Sequence, residues 1–507
     1  MVVTVAAAAG ALHLLHFDPA DRAGTVAGSG ATGDGRQRAR PPLRASVTVP
    51  VRGPSVAIPQ SFLGFSTEYW SLPDEAGHAA LFARIVSLVR APGGGPFLLR
   101  IGGVSSDHAI WDPTGRRLAR WAFPLTRGWL QGTAALDRRA GLRVIADLNL
   151  ITAMPRQDAA FARSLRRTLP PHSLIGLEIG NEPDVYLASA WGLRLLGLPA
   201  IRRLPATLTA AGYVRSYDAD ARALATAAPG IPLLGPALAE PRVNRRWATT
   251  LLDGATARPA AITVHDYPYT ACTPRRAGNY PTIERLLSNR TIPVQRALID
   301  VVRLAAVDAV PVRVTEFNSI SCGGVAGVSN TFATALWAPS ALFAMVRAGV
   351  RSADLHVRAF SINAPFRFSA RGVWPRPLLY GLIAFTRMLG PGARLLDARV
   401  RARPVARLSA WVVQRDGGGF AVLLIDRGQR PIRVRLRIAG GRRAIAMRLL
   451  ARSAQSTGGV TLGGLHLDPQ ARWVGRPARQ ILVPRRGVFE LTLRGASAAL
   501  VMATRGG

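Results

Sequence analysis

Between Ser61 and Leu389 the chain switches eight times from a short apolar run to a stretch with helical spacing, and this alternation limits the fold more than any other feature. The runs are FLGFSTEYW (62–70), PFLLRIGG (96–103), GLRVIADLN (141–149) and LIGLEIGNEP (174–183), followed by IPLLGPAL (231–238), AITVHDYP (261–268), PVRVTEFNS (311–319) and ADLHVRAFSI (353–362). Helical patterns fall between them, for example HAALFARIVSLVR (78–90) and AALDRRAGLR (134–143), the latter running into a strand. Eight strand-then-helix units in succession predict a closed (β/α)8 barrel over residues 61–390, an α/β fold. The competing arrangement, an open doubly wound sheet, would carry a Gly-rich phosphate loop after its first strand, and this chain has none there.

Past Gly390 the pattern changes. LSAWVVQRD, GFAVLLID, PIRVRLRIA, AIAMRLLA and VFELTLRGASAALVMA are strand-like, with Gly-rich turns and no helices between them, so residues 391–507 predict a β-sandwich domain. The segment ASVTVPVRGPSVAIP (45–59) has the same character and is expected to join that sandwich, giving a 45–60 strand segment ahead of the barrel. Residues 1–44 combine an apolar stretch of signal-peptide length, without a positive region before it, with a linker rich in Gly, Ala, Arg and Pro. A secretory signal with a misassigned start, a short anchor and a cytosolic terminus all remain open. The favoured expectation is a secreted or envelope-associated protein.

The 507 residues suffice for two to four domains and a full core without structural metal. A hydrophobic content of 49% excludes a largely disordered chain, and the lack of an apolar run of about 20 residues excludes a polytopic membrane protein. The formal net charge is +36, and because the chain has no lysine, all 65 basic residues are arginine. Such an excess suits a polyanion partner. Codon bias explains it more simply, since Arg, Ala, Gly and Pro are all abundant and a phosphate binder has no reason to avoid lysine. No nucleic-acid partner is therefore expected. Residues 401–507 hold 20 arginines against 4 acids, and support of the barrel is the expected role of that domain.

Polar residues crowd the C-terminal ends of the predicted barrel strands, the face on which barrel enzymes build their sites. The fourth run ends in Glu178-Ile179-Gly180-Asn181-Glu182-Pro183-Asp184 and the seventh in Val314-Thr315-Glu316-Phe317-Asn318-Ser319. Either glutamate alone would read as a solvated acid or an arginine partner. Together they face each other across the barrel mouth, as glycoside hydrolysis requires.

Five stretches carry a family resemblance: FLGFSTEYWSL (62–72), LLRIGGVSSDHAIW (98–111), LEIGNEPDVY (177–186), VHDYPY (264–269) and VTEFNSISCGGVAGVSNTFATALWA (314–338). In these the chain resembles glycoside hydrolase family 79, the β-glucuronidases and heparanase of the retaining barrel clan. The resemblance implies that Glu182 is the general acid/base and Glu316 the nucleophile. It also implies that Asn181 binds the sugar 2-OH, that Glu68 contacts sugar hydroxyls, and that Gly323 and Gly324 hold a uronate carboxylate through backbone N–H groups. A retaining mechanism through a covalent glycosyl-enzyme follows, with carboxyl groups about 5–5.5 Å apart. No metal or organic cofactor is expected, and the expected partner is a carbohydrate, acidic if it contains uronides.

Other assignments are weaker. Asp107 binds substrate or, the favoured option, caps a helix. Tyr267, ahead of Tyr269, is expected to hydrogen-bond the nucleophile, and His265 reads as a structural strand-end residue. Ser321 stands where some relatives carry Tyr, Val104 where Asn is common, and SINAPF (361–366) lacks a Tyr associated with carboxylate binding. A neutral-sugar β-glycosidase of the same clan, and a non-catalytic carbohydrate or polyanion binder, are the alternatives to a β-glucuronidase. The two cysteines, Cys272 and Cys322, fall in loops after neighbouring strands, so a disulfide across the site wall is expected in an oxidising compartment and two free thiols in a reducing one.

Overall fold

A computed structural model describes residues 41–50, 53–186, 209–288, 296–358, 360–403 and 405–505. Most of the 1–44 signal or linker segment lies outside the described residues. Among the described residues, no helix is long and apolar enough to cross a membrane.

The eight strands of the barrel are β1 (Leu63–Glu68), β2 (Phe97–Gly102), β3 (Leu142–Leu148), β4 (Leu174–Ile179), β5 (Leu233–Leu238), β6 (Ala261–Asp266), β7 (Val312–Phe317) and β8 (Ser352–Val357). Each pairs in parallel with the next, and β8 pairs with β1 to close the ring. The fold is thus a (β/α)8 barrel followed by antiparallel sheets of a C-terminal sandwich. Helices cover the outside: Phe82, Ile85, Val86 and Val89 of the helix Ala79–Val89 are buried, the spacing of one helical face. The helix expected at 134–143 begins earlier, at Arg127, because the Thr126 hydroxyl accepts from the Trp129 N–H (3.1 Å) and caps it. It stops at Ala140, where Gly141 takes a left-handed conformation (φ 61°).

Beyond the barrel two sheets stack. In one, Leu43–Val49 lies between Arg399–Ala402 and Ile432–Ile438, and Val488–Leu493 closes the other side. In the other, Ser55–Ala57 pairs with Arg394–Leu396, which leads through Leu408–Gln414 and Phe420–Asp426 to Ser497–Arg505 and Gly441–Leu450. The run VFELTLRGASAALVMA is two strands in different sheets. It breaks at Gly495, where any Cβ would sit 2.1 Å from the Gln429 carbonyl oxygen.

One face of the longer sheet meets the barrel helix Phe332–Ala348. There Trp411 stacks on Phe343 (centroids 5.4 Å apart), donates its indole N–H to the Ser340 hydroxyl (3.1 Å) and lies under Arg347. The opposite face packs Val412, Val422, Leu424 and Val501 against Val47, Val434, Leu436 and Leu491 of the four-stranded sheet. Barrel, long sheet and four-stranded sheet therefore form successive layers.

Candidate active site

At the floor of the barrel mouth lies a fully buried arginine. Arg100 on β2 donates from Nε to Glu178 (2.7 Å), from Nη1 to Glu316 (3.0 Å), and from Nη2 to Asp147 (3.0 Å) and to the Asn181 side-chain oxygen (3.1 Å). Burial alone would make the guanidinium more acidic, but the facing Glu178, Asp147 and Glu316 outweigh it and hold it charged. This cation spans strands β2, β3, β4 and β7 and fixes one oxygen of Glu316 in place.

Local backbone irregularities aim the two central glutamates. The β6–β7 register slips between Val264 and His265, so His265 pairs with Glu316 and Thr315 is skipped. Thr315 bonds to Glu178 inside the barrel, and the bulge turns Glu316 to the mouth. Glu182 itself has a left-handed backbone (φ 51°), with its N–H bonded to the Ala237 carbonyl (3.0 Å), an uncommon conformation for a residue with a side chain. One carboxylate oxygen from each of Glu182 and Glu316 and a ring nitrogen of His265 all lie within 4.8 Å of one another.

Each glutamate has its own surroundings. Glu316 accepts from the Tyr267 hydroxyl (2.6 Å) on one oxygen, and on the other from Arg100, with His356 of β8 3.4 Å away. Burial would raise its pKa, but His356, His265 and Arg100, together with the Tyr267 hydrogen bond, pull it down to about 2. Burial and the facing Glu316 raise the Tyr267 pKa, so its hydroxyl stays a donor. Glu182 meets His265 Nδ1 at 2.8 Å. Burial alone would lower the His265 pKa, yet Glu316 and the hydrogen bond to Glu182 raise it.

The remaining predicted residues separate into those at the cleft and those behind it. Glu68 lines the cleft, takes a hydrogen bond from the Ser105 N–H (2.8 Å) and lies 3.7 Å from His356. Asn181 is buried, its oxygen held by Arg100. Tyr269 lines the cleft, and its hydroxyl donates to the Arg285 carbonyl (2.7 Å). Asp107 does not cap a helix. It is buried and accepts from the Tyr186 hydroxyl (2.9 Å), tying the loop after β2 to the loop after β4. His265 is more than a strand-end residue, since its ring touches Glu182.

Gly323 lines the cleft, whereas the Gly324 N–H is turned to the Ser321 carbonyl (3.3 Å) and its α-carbon is packed on Ser329 and Ile362. Cys272 and Cys322 form a disulfide, Cα atoms 5.9 Å apart, between the loops after β6 and β7. Four contributors were not singled out in the sequence: Arg100, His356, Arg242 and Arg358. The last two line the same cleft, a cavity of about 380 Å³. An arginine inside the apolar β2 run and a histidine in β8 were visible signals, because neither belongs in a barrel strand without a partner.

The chain is 27% identical to a β-glucuronidase of Aspergillus niger over 310 residues, covering 54% of each chain, so it spans about half the length of that relative. The crystal structure of a 4-O-α-L-rhamnosyl-β-D-glucuronidase from Fusarium oxysporum 12S superposes with a TM-score of 0.72 at 18% identity, over 90% of this chain and all of that one. Both similarities are consistent with the resemblance to glycoside hydrolase family 79 seen in the sequence. A family 51 α-L-arabinofuranosidase of Bifidobacterium longum shares the fold at a TM-score of 0.64 and 14% identity, over 91% of this chain and all of that one. No family model matches the sequence. The barrel places a glutamate just after β4 and another near the end of β7 over one cleft.

Proposed function

We propose that this chain is a retaining β-glycosidase that hydrolyses β-glucuronides. The observation carrying the proposal is the approach of Glu182 and Glu316 carboxylate oxygens to within 4.8 Å. That approach suits the close carboxyl pair of a retaining enzyme, about 5–5.5 Å, better than the roughly 6.5–9.5 Å of an inverting one. Glu316, ionised by its cationic neighbours, attacks the anomeric carbon. The glycosidic C–O bond breaks as a proton passes from Glu182 to the leaving oxygen. Water then gives its proton to Glu182 and attacks the same carbon, releasing Glu316. His265 hydrogen-bonds Glu182, and Tyr267 and Arg100 hold the nucleophile's two oxygens.

Several observations support a uronate substrate: the similarity to the Aspergillus β-glucuronidase, the Gly323 backbone at the cleft, and the cations Arg242 and Arg358 along its wall. One observation favours a neutral sugar instead. The Gly324 N–H is engaged in its own turn, which removes one of the two backbone donors expected for a carboxylate. The disulfide supports export to an oxidising compartment.

Initial rates on aryl β-D-glucuronide and aryl β-D-glucoside, for the wild type and Glu316→Gln, decide among these readings. Glucuronide turnover should fall by several orders of magnitude in the variant. Glucoside turnover alone would keep the mechanism and discard the uronate. No turnover of either by the folded wild type would leave only a binding role or a polymeric substrate.

A further inference from the structure

The strand Ile432–Ile438 reads Ile-Arg-Val-Arg-Leu-Arg-Ile, and its residues alternate strictly between buried and exposed. Ile432, Val434, Leu436 and Ile438 enter the sandwich core, so Arg433, Arg435 and Arg437 stand in a row on the outer face, roughly 7 Å apart. Register adds to that row. Arg44 lies directly opposite Arg433, while Ser46 and Thr48 bridge Arg435 and Arg437 to Arg401 and Arg399 on the neighbouring strand. On the fourth strand the same face carries Glu490 and Thr492.

Six arginines thus share one flat face with a single acid. Glu490 pairs with Arg433 (2.6 Å) and sits 3.7 Å from Arg435. Among the described residues no acid pairs with Arg44, Arg399, Arg401 or Arg437. Arginine abundance accounts for the ratio but not for the alignment. Residues 401–507 already hold 20 arginines against 4 acids, so the ratio follows the domain's composition, but composition does not dictate that six arginines line up on one face by strand register. Like charges placed directly across strands also destabilise a sheet. Any small polar residue would serve as well in folding, so the face carries a cost that folding itself does not require.

We propose that this outer sheet face docks an anionic polysaccharide. It lies on the layer farthest from the barrel, separated from the catalytic cleft by the long sheet, so it holds polymer rather than the bond being cleaved. Guanidinium groups bind carboxylates and sulfates in bidentate fashion, and a row of them suits a repeating anion. The face carries no aromatic side chain for stacking bases and no helix to enter a groove, which disfavours a nucleic acid. The choice of polysaccharide rests on the glycosidase reading; the charge argument does not.

The test titrates fluorescein-labelled polyglucuronate into the full chain and into Arg433→Ser/Arg435→Ser/Arg437→Ser. Expected are a loss of affinity of at least tenfold in the triple variant and a steep weakening of wild-type binding as salt rises to about 0.15 M. Aryl β-D-glucuronide turnover should be preserved and the melting temperature should hold or rise, and a triple Arg→Lys variant should recover part of the binding. Equal affinity in wild type and Ser variant overturns the proposal. So does tighter binding to duplex DNA or to phosphatidylserine vesicles than to polyglucuronate. If aryl glucuronide is not turned over but polymer binding still depends on the three arginines, the cleft reading falls and the docking face stands. Turnover without arginine-dependent binding removes the docking face alone.

Discussion

Glu316 and His265 are pushed in opposite directions by the same few ångströms of surroundings. With the Glu316 pKa pulled down to about 2, this carboxylate stays ionised from about pH 3 upward, so it does not set an acid limb of activity above that point. The His265 pKa is raised, and its ring nitrogen meets Glu182, the proposed general acid, at 2.8 Å. The ring therefore stays protonated, a donor toward Glu182, to a higher pH than a free imidazole would. His265→Asn removes that charge and should move the alkaline limb of kcat/KM up by about one unit, with roughly tenfold lower activity at its optimum. A pH–rate profile checks this, and an unmoved limb would assign His265 to packing. The glutamate pair was readable because Asn-Glu-Pro and Glu-Phe-Asn-Ser ended two strand-like runs. The histidine's contact was not, because a residue's partner across the barrel depends on the strand register.

At the scale of elements, the barrel's helices are held apart by very little. Gly381, in the helix Pro377–Thr386, faces the helix Phe332–Ala348 so closely that a Cβ there would sit 2.5 Å from the Ala335 carbonyl oxygen. Because the obstacle is backbone, it cannot rotate away. Gly381→Ala should cost about 1–3 kcal/mol, seen as a lowered melting temperature, while Gly77→Ala, with open space around its α-carbon, should leave it nearly unchanged. The eight strands were legible as apolar runs, since a strand buried on both faces needs nothing else to mark it. The bulge in β6–β7 was not, because it arises from closing the barrel around Glu316 and leaves no mark in local composition. The split of the 488–503 run into two strands was equally hidden, since its apolar pattern hardly pauses.

Across the whole molecule, the sandwich depends on residues that precede the barrel. Leu43–Val49 is an inner strand of the four-stranded sheet, with Ala45, Val47 and Val49 buried in its core, and Ser55–Ala57 extends the longer sheet. A chain beginning at Ser61 would keep every barrel strand yet expose both sheets, and burial of each valine alone is worth about 1.5–3 kcal/mol. Limited proteolysis should then cut within residues 391–507 first, with the melting temperature lowered by many degrees. Equal resistance in both chains would show the sandwich to be self-sufficient.

What the amino-acid order determined by itself is what depends on neighbours along the chain: strand and helix periodicity, the change of pattern near Gly390, and the two glutamates at strand ends. Burial periodicity is local, so it survives in one dimension. Tertiary structure decided everything that depends on which strands meet. It gave Arg100 partners from β3, β4 and β7 or their loops, set His356 against Glu316, turned the Gly324 N–H into its own loop and joined Cys272 to Cys322. It also gathered arginines from three strands, one of them roughly 350 residues earlier in the chain than the other two, onto one face. These are contacts between distant segments, and closing the barrel and stacking the sheets is what creates them.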